Sequence, residues 1–204
     1  GFSRFKILWW AVIFIIFGYS LAVDLRYDYL MSKKDNRLIA TEWIGENIPA
    51  GSKILAILPY TRLANSKDGI SAMEEIDLGS LRTADYALLD LAQGEYPEPS
   101  FDILNLHFIF ADSQYRKTED VEFFKEKGYE YFVVEYADID KENLSAQARA
   151  LSEQGKLIKH FPGTYDLRSE VSGIWPWEIF GYQYFGPNLD VYILTTEAEN
   201  QSVF

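Results

Sequence analysis

Cysteine does not occur anywhere in the chain. Disulfide frameworks, thiolate zinc sites and cysteine nucleophiles are therefore excluded, while the redox compartment stays open. Histidine is scarce as well, only His107 and His160. They lie far apart, each in an apolar string, so a metal centre would have to lean on carboxylates, and both read as structural or merely exposed. Basic charge is the third shortage: 19 Lys and Arg stand against 31 Asp and Glu, a formal net charge of −12. Both charges in the first 23 residues, Arg4 and Lys6, are basic, which leaves the remainder more acidic still. A phosphate backbone is held by clustered Lys and Arg, so nucleic acid is not an expected partner. No G-x-x-x-x-G-K-[ST] loop is present and no G-x-G-x-x-G follows a strand pattern, so no nucleotide or dinucleotide cofactor is implied. There is no G-x-S-x-G elbow either, and serines such as those in "LSAQ" fall inside a helix pattern, where a nucleophile is poorly presented.

What the chain does have is apolar residues. At 204 residues and 48% hydrophobic content it can hold one domain of ordinary size plus an appendage. It opens on Gly rather than Met, which reads as a processed protein or a piece of a longer one. The appendage is "ILWWAVIFIIFGYSLAV", Ile7 to Val23, 17 residues without a charge. As a helix it rises about 26 Å, just short of a hydrocarbon core of about 30 Å, a gap that snorkelling closes. Lys6, Arg4, Trp9 and Trp10 flank one end and Tyr19, Tyr27 and Tyr29 lie toward the other, the flanking expected of a membrane span. Two other readings compete: a signal peptide, with "SLA" as its small-residue site but an apolar run that is long for one, and a core helix that would be apolar all round. Basic residues stand on both sides, so the positive-inside rule gives no orientation.

After the span the chain alternates helix and strand signals. Asp35 or Asn36 caps a helix whose apolar positions Leu38, Ile39, Trp43, Ile44 and Ile48 share one face, and Pro49 and Gly51 end it. "KILAIL" (53–58) is a short, nearly all-apolar run, the pattern of a strand buried on both faces of a parallel sheet. Thr118 is placed to cap a helix through "EDVEFFKEKG", followed by the strand "YEYFVVE" (129–135). "KENLSAQARALSEQG" (141–155) reads as a helix with Leu144, Ala148 and Leu151 on one stripe, then "KLIKHF" as a strand. The last strand, "LDVYILTT" (189–196), follows a "GPN" turn. Between Pro59 and Arg116 the signals are weaker. "SLRTADYALLDLAQG" reads as a helix from Ser80 to Gly94, and "FDILNLHFIF" as either a strand or an apolar helix. The fold class is thus α/β: a small, mostly parallel sheet flanked by helices, with an antiparallel last strand, preceded by one transmembrane helix. Residues 1–23 form the span, 24–35 a juxtamembrane linker, 36–196 the domain and 197–204 a tail.

Candidate ligand or interface residues follow from position. Glu135 and Asp138 stand just past a core strand, where α/β folds place ligand groups, although carboxylates there also cap helices and solvate loops. Tyr60 follows the first core strand and Tyr136 the second. "GIWPWEIFGYQYFGP" (173–187) carries Trp175, Trp177, Tyr182 and Tyr184 among glycines and prolines, an irregular aromatic loop. It either folds back on the core, rests at the bilayer interface or lines a groove, and the shortness of the tether favours the bilayer. "NLS" at Asn143 and "NQS" at Asn200 match the glycosylation sequon, a pattern short enough to arise by chance. No catalytic residue and no metal ligand is identified.

Two segments carry a resemblance. "DNRLIATEWIGENIPAGSKIL", through Arg37, Ala40, Trp43, Ile44, Asn47, Ile48, Pro49 and Gly51, resembles the segment after the last membrane helix of C-type membrane glycosyltransferases. These are polyprenyl-phosphate-sugar-dependent enzymes of the protein O-mannosyltransferase and aminoarabinose transferase kind. "YFGPNLDVYIL" (184–194) is similar to the Gly-Pro turn and final strand that close such domains, and "GYEYFVVEYAD" fits the strand and tyrosine between them. The resemblance implies a last membrane helix plus a C-terminal extracytoplasmic (periplasmic or extracellular) accessory domain. The catalytic acid and donor site of the parent enzyme would lie elsewhere. Its partners would be the lipid bilayer, the remaining transmembrane part of the parent and a glycan or lipid-linked acceptor. The alternative is a membrane-anchored binding or scaffold domain with no transferase attached.

Overall fold

In the computed structural model the described residues are 2–77, 79, 81–92, 95–136, 144–163, 178–181 and 184–194. The chain begins with α1 (Phe2–Met31), a 30-residue helix about 45 Å long. It is long and apolar enough to cross a membrane, and the described residues cover none of its most apolar stretch. Trp9, Trp10, Phe14 and Phe17 all lie exposed on it. The helix does not stop at Val23: residues 24–31, read from sequence as linker, continue it, and only Ser32–Asp35 separate it from the next helix.

That helix, α2 (Asn36–Asn47), is capped by Asp35, whose carboxylate accepts from Arg37 N. The Arg37 guanidinium hydrogen-bonds the same carboxylate and holds its pKa below the usual carboxylate range, against the opposing effect of burial. The buried stripe is Asn36, Ala40, Ile44 and then Ile48, spaced by four. Leu38, expected on the inner face, is exposed. The helix is rotated so that Asn36 can be buried and small Ala40 can meet the sheet, which turns Leu38 outward.

Five strands form one sheet in the order β2-β1-β3-β5-β4. They are β1 (Lys53–Ile57), β2 (Asp102–Asn105), β3 (Tyr131–Tyr136), β4 (Gly155–Phe161) and β5 (Asn188–Leu194). β1 pairs in parallel with β2 and β3, while β5 runs antiparallel to both β3 and β4, so four strands point one way and only the last is reversed. "FDILN" resolves as a strand, and the apolar residues after it turn away. The α2 face packs Ala40, Ile44 and Ile48 on Ile54, Ala56, Val133 and Val191. The opposite face packs Met73 of α3 (Lys67–Ile76), Val121 and Phe124 of α6 (Val121–Glu126), and Ala148 and Leu151 of α7 (Ala146–Gln154) on Leu55, Phe132 and Tyr192. β1 is buried on both sides, as its uninterrupted apolar run requires.

Two short helices complete the crossovers: α4 (Thr83–Leu89) and α5 (Gln114–Lys117). The residue that caps α4 is Arg82, with Asp85 accepting from the Arg82 N–H; Ser80, expected as the cap, lies with Gly94 outside the described residues. Thr118 ends α5, and Asp120 caps α6, because the carboxylate reaches Glu122 N at 2.9 Å.

The two resembling segments meet in space. Asn36, 1% exposed, donates through Nδ2 to Pro187 O (2.8 Å) and Phe161 O (3.1 Å), while its backbone N–H donates to Phe185 O (2.8 Å). Gly186, at φ +125°, lies so close that a Cβ there would stand 3.0 Å from Asn36 Cβ. The end of α1 docks beside this joint. Arg26 Nε donates to Ile179 O, Tyr27 meets Phe185 edge-on at 5.4 Å, Lys33 Nζ lies 5.3 Å from the Tyr184 ring, and Leu30 is fully buried. Phe161 ends β4 and Asn188 begins the reversed β5 opposite Tyr136 at the end of β3. The helix therefore joins the domain at the edge where the parallel strands end.

Candidate binding site at the carboxyl edge of the sheet

When a parallel strand ends, the backbone donors of the next residues need new acceptors. Here side chains of the neighbouring strands supply them. From β2, Asn105 Oδ1 accepts from Leu58 N (3.2 Å) and His107 N (3.1 Å), and its Nδ2 donates back to Leu58 O (2.9 Å). From β3, Glu135 Oε2 accepts from Tyr60 N (3.2 Å) and Thr61 N (2.8 Å). β1 lies between β2 and β3, and the chain leaves it first toward one neighbour and then crosses to the other. The crevice past β1 and β3 is thus the topological switch point of the sheet, the usual ligand position in open α/β folds.

The hydrogen bonds leave a remainder. Glu135 is 5% exposed and Thr61 2%, and neither Glu135 Oε1 nor Thr61 Oγ1 has a hydrogen-bond partner. Thr61 lines a small cleft with Asn65, Arg82, Asp85, Asn105 and Phe108. Its volume of about 30 Å³ has room for one or two water molecules and not for a drug-sized ligand. The Arg82 guanidinium sits 4.3 Å over the Phe108 ring and pairs with Asp85 at 3.7 Å. Arg116 donates to Leu106 O. Tyr60, beside the crevice, is 74% exposed.

His107 stands at the rim. Partial burial first, then the positive charge of Arg116, push its pKa below the ordinary histidine value, with Glu135 opposing and Arg82 adding to the fall. A base whose folded pKa is depressed keeps its full contribution where it is neutral in both states. Stability is lost as pH falls from the unfolded value of about 6.5 toward the lower folded one. His107→Gln is expected to flatten the stability profile below pH 6.5 and leave it unchanged above, as read from urea midpoints across that range.

A second polar cluster occupies the same edge on the opposite face of the sheet. Asp190, fully buried in β5, accepts from Tyr136 Oη (3.2 Å) and Tyr192 Oη (2.9 Å) through Oδ2, and its Oδ1 lies 2.6 Å from His160 Nδ1. Burial, followed by the charge of Asp190, drives the Tyr136 phenol well above its ordinary range, so Tyr136 stays a hydrogen-bond donor to Asp190. His160 sits directly opposite Asp190 on edge strand β4, with its side chain half exposed.

Of the residues singled out from sequence, Tyr60 and Glu135 meet at this edge, while Tyr136, next in β3, sends its phenol to Asp190 on the opposite face. Tyr184 lies at the α1 joint instead. Asp138, Trp175, Trp177 and Tyr182 fall outside the described residues. Thr61, Asn105 and Asp190 escaped sequence reasoning, and His160, read there as structural or merely exposed, is the partner of Asp190. One signal for Asp190 was available: a carboxylate inside a strand read as core must be partnered. Among the described residues no three His, Asp or Glu side chains gather as a metal site requires. Comparisons with family models, curated proteins and solved structures give no match.

Proposed function

We propose that this chain is the membrane-anchored C-terminal domain of a polyprenyl-phosphate-sugar-dependent glycosyltransferase, lying on the extracytoplasmic side and shaping the acceptor side of the reaction without catalysing it. The observation that carries the reading is the joint at Asn36. The two segments that resemble such enzymes are remote in sequence, yet they bond to each other where the long apolar helix enters the α/β domain. A motif pair with that role fastens a domain to a span, which accounts for its lack of reactive side chains. The exposed apolar residues of α1 supply the surface that a bilayer covers.

The cysteine-free sequence makes the location directly testable. Glu153→Cys, on the exposed face of α7, is expected to react with a membrane-impermeant maleimide in intact cells. Protection until the membrane is permeabilised would overturn the extracytoplasmic placement. Membranes from cells carrying the complete gene are expected to transfer sugar from a polyprenyl-phosphate donor, and to lose that transfer when the gene is deleted. Labelling without any change in transfer would favour the anchored binding or scaffold domain.

A further inference from the structure

A helix that leaves the hydrocarbon passes through the headgroup layer, where aromatic side chains are favoured. α1 supplies two of them after its charge-free run, Tyr27 and Tyr29, each about half exposed. A third ring reaches the same level from the far end of the sequence. Arg26 Nε donates to Ile179 O at 3.3 Å, inside the short 3-10 turn Glu178–Phe180. Ile179 is buried, and the next residue, Phe180, is 47% exposed.

Burial along α1 shows how far down the domain reaches. Val23 and Arg26 are half-buried and Leu30 fully, at spacings of three and four, so they form one side of the helix. The residues from Lys6 to Ala22 are all exposed. The covered side therefore starts where the charge-free run ends. Arg26 stands three residues past Val23, a rise of about 4.5 Å, and a headgroup layer is about 5–7 Å thick. With Ile7–Val23 in hydrocarbon, the bond from Arg26 to Ile179 lies within that layer and brings Phe180 there with it. The sheet stands higher, since α1 rises about 10 Å from Val23 to Leu30 before the joint at Asn36.

Charge decides what kind of contact this is. Asp24 and Asp28 lie on the same turns of α1 as Arg26, and Lys33 is a further two turns up. The level of Phe180 thus carries no excess of positive charge from α1 to hold an anionic headgroup. What it does present is aromatic surface, which a zwitterionic interface accepts as well as an anionic one.

We infer that the turn Glu178–Phe180 is a second membrane contact of this protein, with Phe180 resting in the headgroup layer beside Tyr27 and Tyr29, so that the domain is held to the bilayer next to its anchor as well as through it. The inference rests on the membrane-anchored reading above, and needs neither the transferase activity nor a choice of membrane side.

The absence of cysteine lets single probes be placed without other changes. The whole chain is reconstituted in phosphatidylcholine nanodiscs with a bimane on Phe180→Cys, on Phe14→Cys in the apolar run, or on Glu153→Cys of α7. Nitroxide lipids labelled at the headgroup or deep in the acyl chain serve as quenchers. The Phe180 site is expected to lose at least half of its emission to the headgroup quencher and little to the deep one. Phe14 should show the reverse, and Glu153 should respond to neither. Adding phosphatidylglycerol is expected to change nothing at Phe180, and quenching that appears only then would mean an ionic contact and overturn the role given to the rings. A Phe180 site as silent as Glu153, with Phe14 quenched, overturns the contact and leaves the anchor standing. A silent Phe14 sinks the anchored reading and this inference with it.

Because that label replaces the ring, a second measurement tests the ring itself. Energy transfer from a donor on Glu153→Cys to an acceptor lipid reports how the domain is held, and Phe180→Ser, a change at an exposed position, is expected to shift it. No shift means that the ring does not hold the domain, which overturns the inference. In membranes containing the product of the complete gene, protection of the Phe180 site from the lipid quenchers would assign this surface to a neighbouring helix and overturn lipid as its partner.

Discussion

Asp190→Ala is expected to destabilise the whole chain by about 2–5 kcal/mol in urea unfolding. The carboxylate accepts from two buried tyrosine hydroxyls, and a net hydrogen bond of this kind to a charged group contributes about 1.5–3 kcal/mol. Asp190→Asn is expected to cost less, because its amide oxygen still accepts from Tyr136 and Tyr192 while the changed group faces the half-exposed His160. His160→Ala should cost under about 1 kcal/mol, since the imidazole is open to water and its loss leaves Asp190 two donors. The order Ala, then Asn, then the His160 variant is the check. A His160 loss as large as that of Asp190→Ala would show that the His–Asp pair, and not the tyrosines, holds this edge.

The second large effect belongs to Asn36. Asn36→Ala removes the donor for the Phe161 and Pro187 carbonyls, both inside the joint, and is expected to cost about 2–4 kcal/mol. Asn36→Asp separates two physical arguments. At the first turn of a helix an added negative charge is ordinarily favourable by about 0.3–1 kcal/mol. Here a carboxylate would face two carbonyl oxygens with no donor between them, in a residue with almost no contact with water. It is therefore expected to be at least as damaging as alanine at neutral pH. An aspartate variant as stable as the wild type would mean that the helix terminus dominates and the joint is looser than its geometry implies.

Much of the architecture was readable because it obeys periodicity. The apolar runs behind β1, β3 and β5 have no other use than burial between two layers, and the helix that Asp35 caps follows the spacing rules of its kind. α3 was missed because it is short and carries Gly69 in its first turn, ordinarily a weak helix position. The glycine is required there: a Cβ would stand 2.2 Å from Asn65 Oδ1 and 2.9 Å from the β2 backbone. Thr118 and Asp120 are both good caps, and only the three-dimensional path of α5 decides between them.

The candidate site was legible in part. Glu135 and Tyr60 could be placed near strand ends by topology alone. What made Glu135 informative, one oxygen engaged and the other not, depends on where the chain turns after β1, which no local pattern encodes. The His160–Asp190 pair depends on the register of β4 against β5, set by a tertiary pairing across 30 residues of sequence.

The length of α1 sets a stand-off height. With Ile7–Val23 filling the hydrocarbon, the eight helical residues from Asp24 to Met31 rise about 12 Å beyond it, whereas one headgroup layer is about 5–7 Å thick. On the membrane-anchored reading proposed above, the domain would be carried a few ångströms clear of the lipid surface, on a stalk whose tip is clamped by Leu30, Tyr27 and Phe185. Such a mount would hold the edge of the sheet over the membrane rather than let it swing freely. The gap is about the thickness of a single sugar ring, so molecules could slide beneath the domain along the bilayer while bulkier chains would have to approach from the side.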